Sequence, residues 1–426
     1  MKTAILSICA LFALGHTATA QGLSKQLGKQ FAQSATIIDG SWKGTLDLGA
    51  ASLTLVFNID QAKKTVKMDV PEQGAEGVDM TVQCLTADSI SMTCPSIGLS
   101  YSGRLFLGKI AGTFRQATFS APLSLEKGTV EFNRPQEPKA PFSYQTEDVT
   151  FQNAAANVSL SATLTYPVGY KKGQKCPVVL MVTGSGPENR DEEIMHHKPF
   201  LVLADFLARH GVASLRYDDR GVGKSTGDFN VATTQDFADD AAAGIDWLRK
   251  AGQFSKVGLL GHSEGGLVGY MLGSRKQTDF IVSLAGPACR IDSLMMQQLN
   301  GIARAQGMQT DIVSSVDQAR QALLSQADNA WMRSFLDLDG SVYAAKTTCP
   351  VFAASGENDL NVPVSINVPA LKRSLPSNAK NVIKVYPGLN HTFQHSATGN
   401  PLEIGKIEET FSEEVMKDIA DWIKSL

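Results

Sequence analysis

The strongest constraint on the fold is a change of sequence pattern at a Pro-rich stretch, residues 134–141. Before it, over residues 36–133, short runs such as residues 53–57 and 64–68 alternate polar with apolar side chains between turn residues. Alternation with a period of two is typical of half-buried strands, and no helical pattern interrupts it. The region therefore predicts a small antiparallel β domain, barrel-like or a sandwich, and residues 134–141 predict a linker.

From residue 142 to the end, short apolar runs alternate with helical patterns. The runs are residues 177–182, 213–217, 256–260, 280–284 and 351–355. Such runs are typical of strands buried on both faces, and their alternation with helices predicts a mainly parallel sheet. The segment between Pro287 and Thr347 has helical spacing and is too long for a simple loop. We predict an α/β domain over residues 142–426, with helices on both faces of the sheet and a helical lid at about residues 287–347.

The first twenty residues have the features of a cleavable secretory signal. Lys2 precedes an apolar run from Ala4 to Leu14, and the segment ends in small residues at Ala20. The apolar run is too short to span a bilayer, and no later run reaches about 18 apolar residues. We expect a secreted or periplasmic protein that begins at Gln21 and has no membrane span.

The charge and the cysteines exclude some kinds of partner and site. The formal net charge is −3 with no cluster of Lys and Arg, which argues against a nucleic-acid partner. Removal of Cys9 with the signal leaves five of the six cysteines, an odd number, so at least one thiol stays unpaired. Cys84 and Cys94 flank a predicted hairpin and form the plausible disulfide. Cys176 and Cys349 begin apolar strands and are expected as buried thiols. No spacing matches a zinc site.

Residues 261–265, Gly-His-Ser-Glu-Gly, lie directly after one predicted strand and directly before a helical pattern. Flanking glycines allow a tight turn that projects the hydroxyl of Ser263 at the positive end of the helix. As a bare pattern the five residues recur by chance, but the strand-turn-helix context predicts a nucleophile elbow. Ser263 is therefore the predicted nucleophile.

A nucleophilic serine needs a base and a carboxylate that orients it, which in this arrangement follow the serine in the order acid, then His. Asp359 and His391 follow the last two predicted strands, at the sheet edge where active-site loops meet. We predict a catalytic triad of Ser263, Asp359 and His391. Glu357 is the nearest rival carboxylate, and Asp218 also follows an apolar strand.

An oxyanion intermediate needs backbone N–H donors. One is expected from Glu264, the residue after the nucleophile. The other is expected from the Gly-rich turn at residues 183–187, where position favours Ser185 and leaves Gly186 as the alternative. Residues 218–220, Asp-Asp-Arg, are interpreted as an ion cluster that braces the loop beside this turn.

Two further groups of residues have competing interpretations. His196 and His197 suggest metal ligands, but adjacent residues do not share a helix face and no third ligand is near. We prefer a surface pair with His197 packing at the mouth of the site. Trp42, Tyr101 and Phe106 suggest a glycan or lipid surface, although aromatic residues in a small barrel more often form its core.

These motifs together resemble the extracytoplasmic α/β-hydrolases typified by short-chain esterases with an N-terminal accessory domain. The stretches that carry the likeness are residues 184–187, 190–191, 197–200, 216–225, 261–265, 331–336 and 409–411, with the Asp359 and His391 motifs. Such enzymes are similar in fold to dienelactone hydrolases and prolyl-oligopeptidase-like peptidases. The β region resembles the lipocalin-like domain that often precedes them. Thr183 is a departure, since many hydrolases of this fold have histidine there.

The resemblance implies an α/β-hydrolase fold preceded by a small all-β domain, and hydrolysis of short acyl esters. The substrate would be a small ester, cleaved through an acyl-enzyme with no cofactor or metal. A serine peptidase with the same triad and a catalytically silent ligand-binding protein are the alternatives.

Overall fold

The computed structural model describes residues 38–48 and 52–426, which form two compact units divided between Phe132 and Asn133. The predicted signal, residues 1–20, lies outside the described residues. Within the described ranges, no helix is both long and apolar enough to cross a bilayer.

The first unit is a closed barrel of eight antiparallel strands in sequential order, in which β8 also pairs with β1. The strands are β1 (Gly40–Asp47), β2 (Ser52–Asp60), β3 (Thr65–Val70), β4 (Ala75–Leu85), β5 (Ser89–Cys94), β6 (Leu99–Phe106), β7 (Lys109–Gln116) and β8 (Phe119–Lys127). Inward residues of β3 are buried while their neighbours are exposed or half-buried, as the alternating pattern predicts.

Aromatic side chains fill the barrel. Trp42 and Tyr101 are fully buried, and the Tyr101 hydroxyl donates to the backbone carbonyl of Leu123 at 3.2 Å. A Cβ atom on Gly112 would lie 2.5 Å from that hydroxyl, so glycine makes room for the ring. Phe106, in contrast, is 71% exposed. The expectation of core aromatic residues holds for Trp42 and Tyr101 and fails for Phe106.

The plausible disulfide between Cys84 and Cys94 does not form in this structure, where both thiols are free. Cys84 pairs across the ladder with Ser91, and Cys94 pairs on its other side with Leu99. The two cysteines therefore occupy different register positions of the hairpin. They also differ in environment, because Cys84 is exposed while Cys94 is buried.

The second unit contains an eight-stranded sheet in the order β16-β15-β14-β13-β11-β12-β10-β9. The strands are β9 (Thr146–Asn153), β10 (Val158–Thr165), β11 (Cys176–Val182), β12 (Ala213–Tyr217), β13 (Phe254–His262), β14 (Ile281–Leu284), β15 (Val351–Gly356) and β16 (Val382–Tyr386). Strands β11 to β16 pair in parallel. Strand β10 pairs antiparallel with both β12 and β9.

Helices cover both faces of this sheet. They are α1 (Pro199–Arg209), α2 (Thr234–Ala251), α3 (Glu264–Ser274), α4 (Ile291–Ala305), α5 (Val316–Gln326), α6 (Ala330–Leu336), α7 (Gly340–Ala344), α8 (Val364–Ser374) and α9 (Glu413–Ser425). On β11, Val178 and Leu180 pack in one apolar cluster with α2 and α3, while Val179 and Met181 pack in another with α1 and α9. Helices α4 to α7 form the insertion between β14 and β15 and are called the lid below. The architecture confirms the predicted α/β-hydrolase fold.

The stretch predicted as a linker begins with residues that hydrogen-bond within the second unit. The guanidinium of Arg134 donates to the carbonyls of Gly405 at 2.8 Å and Ile407 at 3.0 Å. The side-chain amide of Gln136 donates to the carbonyl of Phe411 at 2.7 Å. Arg134 and Gln136 therefore attach the start of this unit to the segment that precedes α9.

Candidate active site

Ser263 lies at a sharp turn between β13 and α3, with φ 53° and ψ −117°. A non-glycine residue at positive φ is strained, and such strain is typical of functional positions. A side chain on Gly261 would overlap the backbone of Gly265, so the turn needs glycine there. The N–H of Ser263 donates to the carbonyl of Leu284 on β14 at 2.8 Å, which fixes the turn to the sheet.

His391 and Asp359 are joined by a hydrogen bond, with 2.9 Å between Nδ1 and Oδ2. The other Asp359 oxygen accepts the backbone N–H groups of Asn361 and Val362, both at 2.8 Å. The Asp359 carboxyl group is thus placed to accept a hydrogen bond from Nδ1 of His391, which would leave Nε2 as the acceptor. His391 and Ser263 both line a cavity of about 240 Å³.

The two rival carboxylates bind other groups. Glu357 accepts the backbone N–H of Gly388 at 3.1 Å. Asp218 lies 2.7 Å from Nη2 of Arg190. Burial opposes the ionised form of Asp218, but hydrogen bonds from Arg190 outweigh it and hold the pKa of this carboxyl below its usual value. Arg220 in turn pairs with buried Asp240, so residues 218–220 brace the neighbouring loop through separate partners.

The two predicted oxyanion donors belong to segments that meet at Ser263. Glu264 is the first residue of α3, and its N–H has no acceptor within the helix. A Cβ atom on Gly184 would lie 3.4 Å from Cβ of Ser263, which places the Gly-rich turn against Ser263. The N–H of Gly184 itself donates to Glu192, whereas Ser185 lines the cavity.

The side chain of Glu264 links three segments around the site. Its carboxylate accepts hydrogen bonds from Ser185 Oγ at 2.7 Å, Thr234 Oγ1 at 2.6 Å and Trp331 Nε1 at 3.0 Å. Burial raises the pKa of Glu264, and these three donors oppose the rise. The Glu264 carboxylate therefore connects the Gly-rich turn at residues 183–187, α2 and lid helix α6. The sequence motif did not predict this role of the side chain.

A second connection runs through His262. Nδ1 of its ring lies 2.8 Å from Glu192 Oε1, and Nε2 lies 3.0 Å from the backbone carbonyl oxygen of His391. Both ring nitrogens face acceptors, so the imidazolium form of His262 would donate two hydrogen bonds. Burial lowers the pKa of His262, but the charge and hydrogen bond of Glu192 outweigh it and raise the pKa overall. Glu192 and His262 together connect the Gly-rich turn, the turn at Ser263 and the loop that contains His391.

The interpretation of His196 and His197 as a surface pair is wrong for His197. Its ring is 1% exposed, with Nδ1 2.9 Å from Thr410 Oγ1 and Nε2 2.9 Å from the carbonyl of Ile404. Burial lowers the pKa of His197 to about 4. This histidine fastens the loop that precedes α9. A search of the described ranges finds no group of three or more His, Cys, Asp or Glu able to hold a metal ion.

The lid supplies apolar walls to the cavity. Leu294 and Met295 come from α4, and Trp331 and Phe335 come from α6, with their rings stacked 5.2 Å apart. The ionisable residues of the lining are Glu188, Glu192, His262 and His391.

The chain is similar to proteins described as hydrolases. The model of the family described as X-Pro dipeptidyl-peptidase (S15 family) matches residues 156–334. Esterase EstD of Thermotoga maritima is 26% identical over 328 residues, which cover 74% of this chain and 74% of EstD.

Solved esterase structures also align with the chain. Est1E from Butyrivibrio proteoclasticus with bound ferulic acid is 19% identical to this chain, with a TM-score of 0.45. The alignment covers 65% of this chain and 96% of the Est1E chain. Pyrococcus furiosus esterase Pf2001 is 18% identical, covers 70% of this chain and 99% of its own, and has a TM-score of 0.47.

Proposed function

We propose that the chain is a serine hydrolase and, within that class, a carboxylesterase that acts on short acyl esters through Ser263. The match to the dipeptidyl-peptidase family model and the similarity to EstD support the proposal. One observation carries the proposal. The strained serine and a carboxylate-bound histidine line the same cavity.

In the proposed reaction, the hydroxyl oxygen of Ser263 attacks the ester carbonyl carbon while Nε2 of His391 accepts the hydroxyl proton. Asp359 holds the imidazole through Nδ1 and stabilises its charged form. The N–H groups of Glu264 and Ser185 donate to the oxyanion. The alcohol leaves with the proton from His391, and water then repeats the sequence on the acyl-enzyme.

The size and lining of the cavity support a small substrate. A volume of about 240 Å³ lies below the roughly 300–1,000 Å³ of sites for drug-sized ligands. Leu294, Met295 and Phe335 provide apolar contact for an acyl or alcohol group. We expect the highest kcat/KM for nitrophenyl esters of short acids. Equal or better turnover of emulsified long-chain lipids would contradict this preference.

A serine peptidase is the second candidate, because the matching family model describes a dipeptidyl-peptidase. Parallel assays of nitrophenyl esters and aminoacyl nitroanilides, with Ser263→Ala as the control, distinguish the two activities. Faster cleavage of the anilides would favour the peptidase. A fluorophosphonate that fails to label Ser263 would instead favour a silent ligand-binding protein.

We also propose that residues 1–20 direct export and that the mature enzyme is secreted or periplasmic. The proposal rests on Lys2, the apolar run that follows it and the small residues before Gln21. Fractionation of expressing cells and N-terminal sequencing test it. The expected product begins at Gln21 outside the cytoplasm, and an uncleaved cytoplasmic chain would contradict the proposal.

A further inference from the structure

The Gly-rich turn at residues 183–187, which supplies one of the two proposed oxyanion donors, is held at both of its ends by one buried carboxyl group. Asp219 accepts a hydrogen bond from Thr183 Oγ1 at 3.2 Å and another from the N–H of Glu188, the residue after the turn, at 3.0 Å. The N–H of Asp219 donates in return to the carbonyl of Glu188 at 3.2 Å. These bonds fix where the turn begins and ends, but they do not fix its middle.

The middle of the turn has backbone N–H groups that bind no other part of the described chain. The N–H of Gly184 is engaged, because it donates to Glu192 at 3.1 Å, and Pro187 has no N–H. Among the described residues, the N–H groups of Ser185 and Gly186 have no acceptor. Such groups stabilise an oxyanion only when the backbone that carries them is already held in the right place.

A single side-chain contact holds the middle of the turn. Ser185 is exposed, and its hydroxyl donates to the Glu264 carboxylate at 2.7 Å, the distance of a well-formed O–H···O hydrogen bond. Glu264 is buried, and its carboxylate is fixed in turn by Thr234 Oγ1 at 2.6 Å and Trp331 Nε1 at 3.0 Å. An exposed residue is therefore attached to a buried and fully engaged partner.

Glu264 is also the residue whose own N–H is the other proposed oxyanion donor. It begins α3 directly after Ser263, while its side chain extends to the Gly-rich turn. We propose that the Glu264 side chain is a positioning group of the oxyanion hole, because it sets the distance between the N–H of Ser185 and its own N–H. Glu264 does not line the cavity, so its side chain acts on the substrate through Ser185. The inference rests on the proposed function and adds a positioning residue to it.

A purely structural role for this contact predicts a different pattern of loss. A loss of stability lowers the folded fraction and weakens the binding of every ligand equally. A displaced oxyanion donor, in contrast, weakens only those states in which the carbonyl oxygen of the ligand carries negative charge. Ligands with and without such an oxygen therefore distinguish the two roles.

Three single variants and one double variant break this contact or a matched one. Glu264→Met removes the acceptor and keeps the length of the side chain, and Ser185→Ala removes the donor. The double variant combines both changes. The control is Ser225→Ala, which removes a buried hydroxyl that donates to the carbonyl of Asp218, also at 2.7 Å. Neither Ser225 nor Asp218 lines the cavity.

Both single variants of the contact should lower kcat for 4-nitrophenyl butanoate about tenfold or more, toward the roughly 10²- to 10³-fold loss that follows deletion of an oxyanion donor. KM should change little. The double variant should lose no more than the weaker of the two single variants, because both changes break the same bond. Ser225→Ala should keep the wild-type kcat per folded molecule.

Two ketones provide the measurement that a structural role would not alter. The carbonyl carbon of 1,1,1-trifluoroheptan-2-one bonds to Ser263 Oγ while His391 takes the proton, which leaves an oxyanion, whereas heptan-2-one binds without this step. The inhibition constant of the trifluoroketone should rise in both single variants by about the factor lost in kcat, and that of heptan-2-one should stay the same.

The inference is overturned if both ketones weaken equally, if the double variant multiplies the losses of the single variants, or if folded Ser185→Ala binds the trifluoroketone as the wild type does. Ser185→Ala decides the outcome alone if Glu264→Met does not fold. A wild type that cleaves no ester and does not bind the trifluoroketone would instead refute the proposed function, and the inference with it.

Discussion

The barrel and the hydrolase unit differ in what they bury. The barrel unit buries Glu72 beside Thr54, but the core of the barrel consists of apolar and aromatic side chains, with Trp42, Phe57 and Tyr101 fully buried. The hydrolase unit buries many more ionisable groups, among them Asp240 and Glu264, in pairs and hydrogen-bond networks. Buried charge is costly unless it is paired, so its concentration in one unit marks where chemistry, rather than stability alone, determines the residues.

The largest expected effect tests whether the cavity is a reaction site. Replacement Ser263→Ala removes the nucleophile and should lower kcat for nitrophenyl esters about 10⁵- to 10⁶-fold, the scale seen for a serine-protease nucleophile. The melting temperature should fall little, because the substitution removes one hydroxyl group and keeps the backbone hydrogen bonds of the turn. Single-turnover acylation and calorimetry measure the two quantities. Substantial residual activity in a folded variant would show that another residue attacks the ester.

Asp359→Asn should lower kcat about 10³- to 10⁴-fold, because an amide in place of this carboxylate favours the wrong tautomer of His391. KM should change little and the fold should remain intact. Pre-steady-state acylation kinetics give the result. A fully active Asp359→Asn beside a folded but inactive Asp218→Asn would reverse the assignment of the two aspartates.

His262→Asn should destabilise the hydrolase unit by about 3–5 kcal/mol, because Glu192 is left as a buried charge without its partner. The control is His395→Asn, which breaks an exposed pair with Glu409 and should cost about 1 kcal/mol or less. Urea unfolding measures the loss of unfolding free energy in His262→Asn and in the control.

The same pair predicts a pH dependence of stability. The pKa of His262 is raised in the folded state, so its stabilising contribution is full below the unfolded value of about 6.5 and is lost as the pH rises through the folded pKa. Unfolding free energies of the wild type should therefore decrease above neutral pH more steeply than those of His262→Asn. Parallel curves would show that the ring is neutral.

Asp218→Asn should lower the unfolding free energy by about 1–3 kcal/mol, through loss of its paired contact with Arg190. The folded fraction should stay active. Asp79→Asn on the barrel surface is the matched control, since its contact with Lys67 is exposed and should contribute little. Thermal melts followed by activity measurements separate stability from catalysis.

The smallest expected effect comes from removing the barrel. A chain that begins at Asn133 retains Arg134 and Gln136 and should keep kcat/KM within about twofold of the full chain. A chain that begins at Phe142 lacks the hydrogen bonds of both residues and should be less stable by about 1–3 kcal/mol. An insoluble Asn133 chain beside a soluble full-length protein would show that the barrel is needed for folding.

Features with a local sequence pattern were predictable from the sequence. The turn at Ser263 needs glycines at fixed offsets, and Asp359 and His391 follow apolar strands in the chain order of this fold. The structure brings Asp359 and His391 into contact and places Ser263 in the same cavity. Their catalytic roles remain predictions until the variants above are measured.

Features that depend on distant partners were not predictable. His262 and Glu192 are 70 residues apart, and nothing in their local sequence indicates a buried ion pair. His197 is buried because Ile404 and Thr410, which lie near the end of the chain, contact its ring nitrogens. The hairpin predicted near Cys84 is present. Its register depends on which residues pair across the ladder and not on sequence spacing, and this register separates Cys84 from Cys94.

The contact between Trp331 of the lid and the Glu264 carboxylate has an evolutionary consequence. Lid residues shape the entrance and walls of the cavity, so they are natural places for substrate range to diverge. Here one of them, Trp331, also donates a hydrogen bond to the side chain of Glu264, a proposed oxyanion donor, so replacing this lid residue also removes a contact that holds Glu264 in position. Mutations in the lid that broaden specificity are therefore expected to change turnover as well, which limits how freely this enzyme can acquire new substrates.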